Sequence, residues 1–291
     1  MSEPVVLTPA LLREWSLPAR DGTKDARGGV LVVGGARRTP GAVALAGLSA
    51  LRIGAGRLTL AVAESVAPAL AVATPEAGVL GLPETADGSP TGEPPAHLTD
   101  ELGRADAVVV GPGLDEPDGA AALVRVVLAA LAEAGDDGPA LLLDAFALGV
   151  LPGLGDDVTL PAGRTVLTPN LTEAARLLEV DDVDPEDAAV RVAERWGAVV
   201  TCAGTVAHPD GRRWASATGY AGLGTSGSGD VLAGAIAGVL ASGAPPEQAA
   251  AWGTAVHGTA GDRLAARIGP LGYLARELVD ELPALLVELQ A

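Results

Sequence analysis

Residues 29–56 decide how this chain reads: GVLVVGG (29–35), a four-residue link, then PGAVALAGLSALRIGAG (40–56). The first piece is short, β-branched and closed by two glycines, as a buried strand ending in a tight turn should be. The second is apolar all round and rich in Ala and Gly, as a helix packed closely on a sheet requires. The same alternation continues outward. RLTLAV (57–62), ADAVVVGPG (105–113), ALLLDA (140–145), TVLTP (165–169) and AVVTCAG (198–204) read as further strands. GAAALVRVVLAALAEAG (119–135) and EDAAVRVAERWG (186–197) read as helices. Strands that are apolar on both faces and separated by helices indicate a mainly parallel sheet covered on both sides. TVAHPDGRRWAS (205–216) predicts a hairpin around Pro209-Asp210-Gly211, and the chain from Gly229 onward reads as helices. The Gly/Pro/Thr-rich stretch 81–95 is expected to be a surface loop. No composition shift marks a boundary, so residues 1–291 are expected to form a single three-layer α/β/α domain.

With 291 residues, 48% of them hydrophobic, the chain can bury a large core. Nineteen Lys and Arg against 37 Asp and Glu give a formal charge of −18, and no basic run exists to track a phosphate backbone. Nucleic acid and anionic membranes are therefore disfavoured as partners. The mean hydropathy of +0.34 comes from short Ala, Val and Leu pieces. Arg52, Glu64 and Asp230 interrupt every run that approaches the roughly 18 residues of a spanning helix. The start, MSEPVVLTPALLREW, lacks the basic head and apolar run of a secretory signal. One cysteine makes no internal disulfide, which agrees with a reducing compartment. A cytoplasmic protein is the expectation.

In open α/β sheets ligands lie beyond the carboxyl ends of the strands. The segment GLGTSGSGDVLAGAIAGVLASG (222–243) runs three glycines and several hydroxyl residues into a small-residue helix. Exposed amides at such a helix start, aided by the helix dipole, bind anions. Asp230 falls on the first turn, where a carboxylate can take a proton from an attacking hydroxyl while the amides stabilise a moving phosphoryl group. The competing reading is a plain helix-start acid beside a flexible turn. Gly222, Gly224 and Gly227 also satisfy GxGxxG, but no clear strand leads into them. Gly34, Gly35 and Gly41 fit neither the dinucleotide fingerprint nor the GK[ST] phosphate loop.

Several segments together resemble the ADP-dependent (S)-NAD(P)H-hydrate dehydratases, enzymes of the ribokinase-like fold that repair hydrated nicotinamide cofactors. They are VLVVGG with TPGAVALAGLSALRIGAG, VVVGPGL (108–114), LLLDAFAL (141–148), VLTPNLTEAARLL (166–178), GYAGLGTSGSGDVLAGAIAGVLASG (219–243) and AWGTAVHGTAGD (251–262). The motif around Asp230 is shared with many ribokinase-like kinases, whereas LRIGAG, the GPG turn and VHGTAGD are more particular to the dehydratases. The resemblance implies that ADP (or ATP), with Mg²⁺, phosphorylates the hydroxyl of the hydrated nicotinamide ring and that loss of phosphate regenerates NAD(P)H. It implies Asp230 as the base, and Gly227, Ser228 and Gly229 as the phosphoryl cradle. Ala42 and Gly113 would line the hydrate site together with Asn170 and Asp230. Thr201, Cys202, Ala203, Gly204 and Thr205, with Gly229, would contact the adenine nucleotide. Glu173 would organise the metal, directly or through water. A homo-oligomer, a tetramer, is the family expectation.

The chain departs from the family pattern in three places. Asn170 stands where these dehydratases usually carry His, and with Glu173 it spells the NxxE of ribokinase-like kinases; Asn can hydrogen-bond but not titrate. The same two residues also suit a helix cap. Thr201 stands where a Lys is usual, and Phe146 where an Asp is usual. Lys24, the chain's one lysine, is distant in sequence. Arg37 and Arg38 are then candidates for the substrate pyrophosphate, or solvated loop residues, and Asp144 for metal or water contacts, or a polar strand end. His97, His208 and His257 have no metal-site spacing, and His257 reads as packing or support behind the site. Cys202 reads as inert and apolar. LARELVDELPALLVEL (274–289) reads as an amphipathic helix packed on its own domain, with an oligomer contact as the alternative. Two other functions stay open: a ribokinase-like kinase of a small hydroxymethyl vitamin precursor, which TPNLTEA favours, and a nucleotide-binding module without catalysis.

Overall fold

The computed structural model describes residues 3–19, 22–155, 158–219 and 221–291; Met1 and Ser2 of the N-terminal segment and Tyr220 of the glycine-rich segment lie outside them. Ten strands form one sheet in the order β1-β10-β9-β8-β7-β6-β5-β2-β3-β4. The strands are β1 (Val5–Leu7), β2 (Gly29–Val33), β3 (Arg57–Ala63), β4 (Gly78–Leu82), β5 (Ala107–Val110), β6 (Ala140–Leu143), β7 (Thr165–Leu167), β8 (Val199–Cys202), β9 (Thr205–Ala207) and β10 (Arg213–Ser216). Every pairing is parallel except those of β9 with β8 and with β10.

Eleven α-helices are described: α1 (Pro9–Glu14), α2 (Pro40–Ile53), α3 (Ala67–Ala73), α4 (Ala96–Leu102), α5 (Pro117–Glu133), α6 (Phe146–Val150), α7 (Leu171–Leu177), α8 (Pro185–Trp196), α9 (Ser228–Leu240), α10 (Pro246–Arg267) and α11 (Ala275–Gln290). Two apolar layers explain why the strands lack a polar face. Val30 and Val32 of β2 point into a layer built with α2, α9, α10 and α11, while Leu31 and Val33 point into a second layer with α5, α7 and α8. Alternate side chains along a strand face opposite ways, so a sheet covered twice needs apolar residues at every position.

The first layer packs backbone against backbone. A Cβ on Gly234 of α9 would lie 1.9 Å from the Ala46 carbonyl oxygen of α2, and one on Gly238 2.6 Å from that of Ala50. The small-residue stripes therefore let α2 and α9 approach closely. The N-terminal segment is latched to α10, where the Gln248 amide and the Trp252 indole donate to the Trp15 carbonyl.

Two expectations change. Residues 81–95 are not simply a loop: β4 runs through Leu82 as the sheet edge, and Glu84 and Pro90 form an isolated bridge. The glycines in GVLGL hid this strand, and VVL (5–7) was too short to register as β1. The hairpin of residues 205–216 and the all-helical end are as read.

Candidate functional site

The parallel strands all end on one side, and their carboxyl ends carry the turns that build the site. Gly34 and Gly35 follow β2. The Gly35 amide donates to the Pro112 carbonyl (2.8 Å), Ala36 to Gly113 (2.8 Å), and the Thr39 hydroxyl to the Gly113 carbonyl (2.7 Å). Gly113 has φ +69°, and a Cβ there would lie 2.3 Å from the Thr39 oxygen and 3.2 Å from the Ala42 methyl. Ala42 and Gly113 are thus brought together, half-buried, at the start of α2. Leu45, one turn further on, presses toward Gly227, where a Cβ would lie 2.6 Å from its Cδ1.

Gly227 caps α9 with φ 89° and no side-chain cap bond. The Ser228 amide donates to the Thr225 carbonyl (3.2 Å). The amides of Gly227, Gly229 and Asp230 have no acceptor among the described residues. A Cβ on Gly229 would meet open space. The start of α9 therefore offers three unclaimed N–H groups and the positive end of its dipole, with Gly227, Gly229 and Asp230 rather than Ser228 supplying the free amides.

Asp230 is half-buried and accepts no hydrogen bond among the described residues; its pKa is pushed up to about 7, first by burial and then by the charge of Asp144. Asp144 follows β6, 5% exposed, and takes a 2.6 Å hydrogen bond from the Thr168 hydroxyl. Burial lifts its pKa to about 6 against that bond. Its carbonyl passes so close to Gly111 that a Cβ there would lie at 1.8 Å. Glu173 sits in the first turn of α7 with a pKa of about 7, raised by burial and, more weakly, by Asp144. One of its oxygens accepts from the Asn170 amide, and the Asn170 carboxamide oxygen accepts from the Glu173 amide, each at 2.9 Å. Both residues thus form a capping box, with a second carboxylate oxygen of Glu173 left over.

A cavity of about 600 Å³ opens beside these groups. Its walls include Thr168, Asn170, Thr201, Cys202, Ala203 and Gly204 on one side, with Ser228, Gly229, Thr254 and His257 facing them. Ala203 (φ 49°) and Gly204 (φ 81°) form the two-residue turn between β8 and β9, both left-handed as such hairpins require. Asp230 is not part of that wall; the first turn of α9 has the cavity on one side and α2 on the other. Thr205, the first residue of β9, is not among the residues lining the cavity. Thr201 lies 3% exposed, its hydroxyl 2.8 Å from that of Thr254. The Cys202 thiol is pushed up to about 12 by burial and by Glu173, which leaves it inert.

Arg37 is not available to a pyrophosphate. It pairs with Glu84, donates to Ser65 (3.1 Å) and to the Ala86 carbonyl (3.0 Å), and so ties down residues 84–89. Arg38 is exposed and has no partner among the described residues. Phe146 and Ala145 line a second recess of about 340 Å³ with Leu114, Glu173 and Arg176. His208 pairs with Asp210 (2.8 Å) in the hairpin turn, and His97 is exposed on α4.

Sequence reasoning missed Thr168, Thr254 and the loop 216–219. Thr254, His257 and Gly258 recur along one face of α10, a spacing visible in the sequence but masked by its alanines. Gly258 is needed because a Cβ there would lie 2.5 Å from the Thr218 hydroxyl.

Comparison with known proteins agrees with this architecture. A family model described as NAD(P)H-hydrate dehydratase matches residues 30–284. The chain is 47% identical over 289 residues to the ADP-dependent (S)-NAD(P)H-hydrate dehydratase of Xanthomonas campestris pv. campestris, covering 96% of this chain and 95% of that one. It is 37% identical to the bifunctional NAD(P)H-hydrate repair enzyme Nnr of Moorella thermoacetica, over 98% of this chain but 54% of the relative. Among solved structures, the ADP/ATP-dependent NAD(P)H-hydrate dehydratase from Bacillus subtilis, co-crystallised with ATP and Mg²⁺, superposes with a TM-score of 0.80 at 27% identity, covering 99% of this chain and 100% of that one. Pyridoxal kinase from Lactobacillus plantarum shares the fold alone, at 16% identity and a TM-score of 0.50. This chain therefore belongs to the NAD(P)H-hydrate dehydratase family, on a ribokinase-like fold.

Proposed function

We propose that this protein carries out the ADP-dependent dehydration of (S)-NAD(P)H-hydrate to NAD(P)H. The observation that carries the reading is the pairing of unclaimed amides at Gly227, Gly229 and Asp230 with an unbonded carboxylate whose pKa lies near neutrality. A base works best when its pKa lies near the operating pH. Asp230 takes the proton of the ring hydroxyl, the hydroxyl oxygen forms a bond to the terminal phosphorus, and the bond from that phosphorus to the nucleotide breaks. The open amides bear the charge that gathers on the phosphoryl oxygens. Phosphate then departs from the ring carbon and a proton from its neighbour, which restores the dihydronicotinamide and leaves AMP when ADP is the donor.

The adenine nucleotide fits the cavity bounded by Thr201, Cys202, Ala203, Gly204 and Gly229. The hydrate fits the α2 side, against Ala42 and Gly113, with Asn170 and Asp230 as its polar contacts. Asp144 and Glu173 suit Mg²⁺: the charge of Asp144 reaches Glu173 and raises its pKa, Glu173 has an oxygen left over, and Mg²⁺ commonly takes one or two carboxylates plus substrate phosphates. Such an ion supplies charge neutralisation of the phosphates. Among the described residues no helix is long and apolar enough to cross a membrane. Cytoplasmic residence as a homo-oligomer completes the proposal, and the exposed side chains of Leu271 (72%) and Val287 (68%) support an apolar contact between copies.

The decisive experiment supplies (S)-NADH-hydrate, ADP and Mg²⁺ to purified protein and follows the return of reduced-nicotinamide absorbance. Recovery is expected. A stable phosphorylated product from a hydroxymethyl vitamin precursor and ATP would establish the kinase reading instead, and nucleotide binding without turnover the non-catalytic one.

A further inference from the structure

The serine that opens α9 has only its hydroxyl left for a ligand, because its amide is spent on Thr225 (3.2 Å). Ser228 is 3% exposed, yet it lines the cavity beside Gly229. Its Oγ lies 3.0 Å from Nε2 of His257, itself 7% exposed and on the same cavity wall. Neither group is free to wander. Gly253, one turn before His257, brings α10 so close to α9 that a Cβ would lie 2.4 Å from the Ile236 side chain. Two rigid helices therefore fix the distance between imidazole and hydroxyl.

A serine hydroxyl has one proton, and where it points decides what the group offers. If Ser228 donated to the ring, its lone pairs would face an incoming phosphoryl group and repel it. If the ring donates to Ser228, the hydroxyl proton is released toward the cavity, where a phosphoryl oxygen can accept it. Burial holds the His257 pKa down at about 4, so the ring is neutral near pH 7 and carries a single N–H. The contact runs from Nε2 to Oγ, and with the single N–H on Nε2 the ring is the donor of that bond.

We propose that His257 is a positioning residue: its Nε2–H donates to Ser228 Oγ and thereby aims the Ser228 hydroxyl proton at the phosphoryl group held by the α9 amides. The assignment rests on the reading above that nucleotide phosphates lie against the start of α9. In this role His257 acts on the phosphoryl group through Ser228 rather than by contacting it. Its two functions, packing between α9 and α10 and orienting a hydroxyl, separate under mutation.

The test is a double-mutant cycle read by calorimetric titration with ADP and with ATP, each with Mg²⁺, and in parallel by turnover. Ser228→Ala removes the donor and should weaken nucleotide binding about tenfold, the worth of one hydrogen bond to a charged group. His257→Leu should weaken it by the same factor, and the double variant should bind no more weakly than Ser228→Ala alone. His257→Gln, which keeps an N–H donor, should recover most of the loss. If His257→Leu fails to fold, His257→Phe serves as a second donor-free variant. A packing role would instead give effects that multiply to about a hundredfold in the double variant, with no recovery by Gln, and that result overturns the proposal. The two inferences fail separately. Coupled binding without NADH regeneration defeats the dehydratase reading and leaves His257 in place; regeneration with multiplying effects does the reverse.

Discussion

Two helices begin at the carboxyl edge of the sheet, and they begin differently. At the start of α7 the capping box of Asn170 and Glu173 satisfies the helix from within. At the start of α9 a left-handed glycine stands where a capping side chain would be, and three amides are left open. A glycine N-cap forgoes only a few tenths of a kcal/mol relative to a capping side chain, so an open helix start at a cavity wall costs little and suits a segment whose partner is an anion. On the proposed function the two helices do different work: the start of α9 would meet negative charge with dipoles, and the start of α7, with Asp144 behind it, would present carboxylates to a cation.

The sharpest break in that comparison is Asp230→Asn. It keeps the α9 amides but removes the proposed base, so kcat should fall by about three orders of magnitude while nucleotide affinity holds. In the wild type, kcat/KM should rise with pH through a limb near 7, because the carboxyl must lose its proton to act. Stability should move the opposite way. The folded pKa lies above the model-compound value of 3.8, so stability from this group is full below that value and is lost as pH rises toward 7. Asp230→Asn should therefore melt about 2 °C above the wild type at pH 8, as followed by circular dichroism.

A smaller effect separates the two kinds of glycine on α9. Gly234→Ala forces a methyl against the Ala46 carbonyl and should cost about 3 kcal/mol in urea unfolding, with the site chemistry unchanged in the folded fraction. Gly229→Ala meets open space and should leave stability intact or raise it. Its methyl would enter the proposed phosphate cradle, however, so nucleotide affinity should drop about tenfold.

The smallest effect concerns the capped helix. Asn170→Ala should cost about 1 kcal/mol by losing the cap. Asn170→Ser restores a capping oxygen without the carboxamide, and so should recover the melting temperature. If Asn170 also touches the hydrate, KM for the hydrate stays raised in both variants. If Ser restores KM as well, Asn170 is a cap and nothing more.

The layered fold was legible because its signals are local. GVLVVGG and its fellows are apolar at every position, and only a sheet covered on both faces asks for that. β4 escaped because GVLGL carries two glycines and is largely half-buried at a sheet edge, so neither alternation nor a continuous apolar run marks it. The candidate site was legible where chemistry and chain order coincide. Gly227, Ser228, Gly229 and Asp230 are consecutive, and Asn170 and Glu173 are one helical turn apart. Arg37 was misleading for the opposite reason: its sequence neighbours say nothing of Glu84, 47 residues away, which claims its charge.

The amino-acid sequence alone determined the strand and helix alternation, the glycine-rich start of α9 and the acid upon it, because hydrophobic periodicity and turn chemistry act over a few residues. Only the tertiary structure decided which of those amides remain open, that Asp144 raises the pKa of both Glu173 and Asp230, and that His257 meets Ser228 from 29 positions away. Hydrogen-bond partners and burial depend on where distant segments meet in space, and it is these that set a donor's direction and a carboxyl's pKa.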